Sequence, residues 1–140
     1  MIIKFDEEFR LSIGEMYDYF RSPADWVRLF GFPGVVRELA NGWYSIPLKS
    51  FPFPLVGKYT YENPPNTARW IFRGFWKGEG EIQLTPTDTG VLVRGFERIA
   101  VRPLGPLSPV VEKIFLEKGF RRIWEIGWHR LRKRMDSETR

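Results

Sequence analysis

The chain has 140 residues, 43% of them hydrophobic, with 12 Phe and 6 Trp, enough apolar material for one domain to fold over residues 1–140 without a disulfide or metal staple. It has no cysteine and one histidine, which removes disulfides, thiolate nucleophiles and cysteine metal sites and leaves little for a zinc centre or a Ser-His pair. The net charge of +5 falls wholly in residues 71–140, and between Arg121 and Arg134 six basic groups stand against Glu125 alone.

The opening Met1-Ile2-Ile3-Lys4-Phe5-Asp6-Glu7-Glu8 puts charges into the apolar run at once, so no secretory signal is expected. No apolar run is long enough for an integral membrane segment. A soluble, cytoplasmic protein is expected, in keeping with the lack of cysteine. Residues 2–11 read as a strand, with Ile3, Phe5, Phe9 and Leu11 on one face, Lys4, Asp6, Glu8 and Arg10 on the other, and Glu7 breaking the apolar side. Ser12 followed by Glu15 has the spacing of a helix-opening capping box, and Ile13, Met16, Tyr17 and Phe20 supply an apolar side. Ser22-Pro23 ends that helix and starts a second, reaching about Phe30 and burying Trp26, Leu29 and Phe30, with Gly31-Phe32-Pro33-Gly34 as its stop.

Six strand signals follow in quick succession: Val35–Ala40, Trp43–Leu48, Val56–Glu62, Ala68–Phe75, Lys77–Thr85 and Gly90–Val101. The separators Asn41-Gly42, Asn63-Pro64-Pro65-Asn66 and Pro86-Thr87-Asp88-Thr89-Gly90 are short enough to make neighbours antiparallel. The Pro-rich Ser50–Leu55 is too apolar for a solvated linker and reads as a packed connection, while Gly74–Gly80 reads as a turn or bulge that lets the sheet bend. In the last strand Val91, Val93, Gly95, Glu97, Ile99 and Val101 share the buried parity, so Glu97 is the one charge on that face. After Pro103–Leu107, Ser108-Pro109 opens a helix to about Met135. Leu116, Phe120, Ile123, Trp124, Gly127, Trp128 and Leu131 lie in one apolar sector, opposite Lys118, Arg122, Glu125, His129 and Lys133.

These elements predict an α+β fold: a curved antiparallel sheet of about six to seven strands wrapped around a long C-terminal helix, with two short helices after the first strand. A twisted sheet of that size cannot lie flat on a single rod ~10 Å across, so an apolar cavity is expected between them.

The N-terminal run Leu11-Ser12, then Glu15-Met16-Tyr17-Asp18-Tyr19-Phe20-Arg21-Ser22-Pro23-Ala24-Asp25-Trp26, together with a C-terminal helix of small and aromatic positions, resembles the START-like, or SRPBCC, superfamily with its helix-grip fold. That group includes polyketide cyclases and dehydrases, lipid-transfer domains and CoxG-like proteins. The resemblance covers essentially the whole chain but carries no catalytic signature. It implies one START-like domain over residues 1–140.

The expected function is therefore binding of a small hydrophobic or amphipathic ligand in the cavity, for storage, transport or sensing. The lining expected is Trp26, Phe30, Tyr59, Tyr61, Trp70, Phe72, Phe120 and Trp124, with Glu97 as an acid whose pKa burial would raise. Those rings serve equally as a plain core. Two other readings stand: an enzyme of the cyclase or dehydratase kind using Glu97, and a protein-interaction or chaperone-linked module, which a solid interior would favour. A binding protein is preferred to an enzyme. No catalytic residue, metal ligand or cofactor is assigned: His129 falls on the polar side of its helix, and no phosphate loop or cation-binding loop is present. Glu117 and Glu7 are weaker candidate acids. The basic stretch lacks a nucleic-acid motif and reads as a solvated helix face, so no nucleic acid is expected, while peripheral contact with an anionic membrane and a monomer or homodimer, through Phe51, Phe53 or Phe115, stay open.

Overall fold

The computed structural model describes residues 2–31, 35–48, 53–101 and 108–138, and within these the side chains of residues 101, 108–117 and 137–138 are not described. The expectations for Ser50–Pro52, Gly34, Pro103–Leu107, Phe51, Phe115, Leu116, Glu117 and the cap at Ser108 lie outside that description.

Strand β1 (Ile2–Phe9) leads to helix α1 (Ile13–Tyr17), opened as expected by Ser12, whose hydroxyl accepts the Glu15 backbone N–H at 3.1 Å. Two single turns of 3-10 helix, Asp18–Phe20 and Pro23–Asp25, replace the regular helix expected there, and α2 proper is only Trp26–Phe30. Gly31 closes α2 at φ 67°, a left-handed conformation that glycine adopts without strain. The sheet then runs β2 (Arg37–Glu38), β3 (Tyr44–Ile46), β4 (Leu55–Asn63), β5 (Thr67–Arg73), β6 (Trp76–Pro86) and β7 (Val91–Val101), followed by α3 (Ser108–Glu138).

All seven strands form one curved, unclosed sheet in the order β1-β7-β6-β5-β4-β3-β2, every pair antiparallel. β2 is far shorter than the span Val35–Ala40 predicts. Both its residues are exposed, so no buried face extends it, and residues Ala40–Gly42 turn back at once with Asn41 and Gly42 at positive φ. The hairpin between β5 and β6 turns at Gly74 and Phe75. Trp76, expected inside that turn, instead begins β6 as a fully buried ring whose Nε1 donates to the Phe53 carbonyl at 3.2 Å.

The core lies between the concave face of the sheet and α3, with α1 and α2 closing one end. From α3 come Phe120, Trp124, Trp128 and Leu131, and Lys118, Arg122, Glu125, His129 and Lys133 are exposed, as the helical periodicity predicts. Trp124 stacks on Phe5 at 4.3 Å between centroids, and Trp128 packs against Phe5 and Phe9. Gly127 lets α3 approach α2 closely, since a Cβ there would stand 2.7 Å from the Phe30 ring. Much of the basic C-terminal stretch is structural. Arg132 pairs with Glu7 at 2.5 Å and lies over the Phe9 ring, Arg134 donates to the Tyr19 hydroxyl at 3.0 Å, and the Arg130 guanidinium covers Gly31. Glu7, which breaks the strand pattern, is thus the partner of a helix arginine.

Candidate functional site

The site is built on one transverse row of the sheet. Ile3 of β1 faces Glu97 of β7, Glu97 faces Gly80 of β6, Gly80 faces Trp70 of β5, and Trp70 faces Tyr59 of β4. All share the inward parity, because directly opposed residues in an antiparallel pair point the same way. Gly80 is the gap in this row. A Cβ there would stand 2.3 Å from Trp70 Nε1, so the Trp70 indole lies across the glycine towards Glu97. The glycine-rich segment thus serves twice: Gly74 makes the turn, at φ 92°, and Gly78 and Gly80 lie within β6.

Glu97 is the one charged side chain among the buried described residues, at 5% exposure. Trp124 Nε1 on α3 donates to its Oε2 at 2.9 Å. The Trp70 indole N–H is near enough to favour the charged carboxylate, yet it falls short of hydrogen-bond geometry and has no other partner among the described residues. No described cation pairs with the carboxyl. Burial pushes its pKa up to about 7 from 4.5, and the two indoles pull it back part of the way. A carboxyl in that range can accept, hold or release a proton near neutrality.

Beside Glu97 lies a small cavity lined by Trp26, Phe30, Leu48, Leu55, Phe120, Ile123 and Trp124. The space open to the centre of a water-sized sphere is about 10 Å³, roughly enough for one water. Beside Glu97, then, the described residues leave no wide apolar space. The sheet does curve away from α3, but indole and phenyl rings fill the space it leaves. Trp124 meets Phe30 edge to face at 4.8 Å, and Phe120 meets Trp76 in the same way at 4.8 Å.

Of the residues expected to line a site, Trp26, Phe30, Glu97, Phe120 and Trp124 come together at this cavity. Trp70, Phe72 and Tyr59 form the layer behind. Trp26 packs edge-on against Trp70 at 5.3 Å and against Phe72 at 6.2 Å, and its Nε1 donates to the Tyr59 hydroxyl at 2.9 Å. Burial raises the Tyr59 pKa well above that of a free phenol, so the hydroxyl stays neutral. Tyr61 is a correction: it is 47% exposed, with Arg69 over its ring, because an extra residue between Tyr59 and Tyr61 shifts the register of β4 and turns Tyr61 outward. Leu48, Leu55 and Ile123 were not expected at the site, and as plain aliphatics they carry no signal that separates lining from core. Elsewhere, Tyr17 donates to Glu62 at 3.2 Å, and burial together with that carboxylate pushes its pKa up to about 12.

No family model matches the chain, and no curated protein matches it. Solved structures do. The Nitrosomonas europaea protein NE0264 superposes with a TM-score of 0.67 at 14% identity over 99% of this chain and 96% of its own. Mll3558 from Rhizobium loti gives 0.65 at 14% identity over 90% and 93%. The Aha1 dimer from Colwellia psychrerythraea gives 0.60 at 12% identity over 94% and 92%. At such identities the likeness is one of fold alone: a curved antiparallel sheet with a C-terminal helix, in keeping with the helix-grip arrangement.

Proposed function

We propose that this chain is a START-like protein that binds a small apolar or amphipathic molecule between the sheet and α3, with Glu97 as the polar anchor. The observation that carries the reading is the buried carboxyl itself. An ionisable side chain without a described counter-ion, next to a buried indole N–H that lacks a partner, destabilises a core that a nonpolar residue would fill better. Perturbed buried groups of this kind cluster at binding sites, and this one borders a cavity lined by four rings. Because the space now holds about one water, a ligand enters by displacing side chains, and half-buried Ile123 stands on the wall nearest solvent.

Native mass spectrometry of freshly purified protein, together with uptake of a fluorescent apolar probe, tests the reading. Substoichiometric bound mass or saturable uptake is expected. Neither appearing under native conditions would leave Glu97 as a structural oddity and sink the proposal. The close packing of the described rings beside Glu97 favours one second reading, a protein-interaction module, which predicts no uptake and a stable complex with another macromolecule.

A further inference from the structure

The geometry points to an organic cation as the ligand of this cavity: a small ammonium compound whose charged head meets the Glu97 carboxylate and whose apolar body lies among Trp26, Phe30, Phe120 and Trp124. This rests on the binding reading above and narrows it to a substrate class.

Charge comes first. Glu97 lies in the core, and its one hydrogen bond of full geometry comes from a neutral donor, Trp124 Nε1. A carboxylate in such surroundings is stabilised only by a proton or by a cation. Among the described basic side chains of α3 none is seen to pair with it. Arg121 and Arg122 are exposed, Arg132 is held by Glu7, Arg134 by Tyr19, and Arg130 lies against Gly31. The described part of the fold thus presents an acid without a counter-charge, which a cationic ligand would supply.

The walls agree with this. Tryptophan and phenylalanine carry negative potential on their ring faces and attract ammonium groups as no aliphatic lining does. Trp26, Phe30, Phe120 and Trp124 make up half of the residues around the cavity, and Glu97 is the one charged group there. A neutral ligand could donate a hydrogen bond to the carboxylate but would leave its charge uncompensated, and an anion would be repelled by it.

Binding of a cation competes with the Glu97 proton, so affinity rises as pH passes through about 7. The test uses three probes of one shape: naphthylmethylamine, which stays protonated across this range, naphthylmethanol and methylnaphthalene. Each is titrated into the intact chain and into Glu97→Gln by calorimetry and tryptophan quenching, at about pH 6 and about pH 8. At the higher pH the ammonium should bind roughly tenfold tighter than the alcohol, the preference should shrink at the lower pH, and Glu97→Gln should abolish it. The pH dependence of the unmodified protein carries the test even if the variant folds poorly. Neutral probes binding as tightly as the ammonium, or a preference that survives Glu97→Gln, overturns the cation while leaving the binding reading intact. No uptake of any probe overturns both.

Discussion

Glu97 makes the stability of this protein depend on pH in an unusual direction. Its carboxyl titrates at about 7 when folded and near 4.5 when exposed, so between those values the folded state holds a proton that the unfolded state has lost. Stability therefore falls as pH rises from about 4.5 to about 7 and then levels off, opposite to an ion-paired carboxylate, by an amount on the order of 3 kcal/mol at most. Urea unfolding at about pH 5 and about pH 8 should show this loss, and Glu97→Gln should remove it, giving a variant more stable than the parent at the higher pH. A parent whose stability rises across that interval would show that Glu97 is not buried as described. Gly80 makes a second residue-scale prediction. Alanine is ordinarily no worse than glycine in a strand, but here its Cβ would meet the Trp70 indole 2.3 Å away, so Gly80→Ala should destabilise by about 1–3 kcal/mol and alter the near-ultraviolet dichroism of the indoles. The inward placing of Glu97 was legible in the sequence, because period-two alternation in a long strand leaves no choice of face. Its indole partners were not: the Trp124 contact depends on how α3 is rotated above the sheet, and the Trp70 contact on a glycine two strands from β4.

At the scale of elements, the long strands and α3 could be read from periodicity because each buries one face along most of its length. The edges could not. β2 buries neither residue, so nothing in packing extends its ladder, and the turn at Asn41 and Gly42 overrides the apolar residues around it. The bulge in β4 is equally silent, and a single extra residue was enough to place Tyr61 on the wrong face. The docking of α3 gives a paired prediction. A methyl group added at Gly14 would have no neighbour within 4 Å, so Gly14→Ala in α1 should stabilise by up to about 1 kcal/mol through helix propensity. Gly127→Ala gains the same propensity but drives a methyl to 2.7 Å from Phe30, so it should destabilise by about 1–3 kcal/mol. Thermal melts of the two variants should move in opposite directions. If both rise, α3 does not sit as close to α2 as described.

Across the whole molecule, the longest strands are β6 and β7, each 11 residues long and paired on both sides, while β3 and β2 finish one end of the sheet with three and two residues. Amide hydrogen exchange should accordingly be slowest in β6 and β7 and fastest in β2 and β3, with β1 between them. Equal protection of β2 and β7 would contradict this gradient. β1 lies beside β7, with Ile2 opposite Arg98, and Glu7 reaches Arg132 on α3. β1 thus finds its one strand partner only at Val91–Arg98, after five other strands along the chain. Its greasy side stays unsheltered until β7 and α3 are present, and closing so long a loop costs more entropy than forming the hairpins in between. The charges at Lys4, Asp6 and Glu8, alternating with the apolar positions, then have a second use, keeping a waiting ribbon from sticking to its neighbours during that interval.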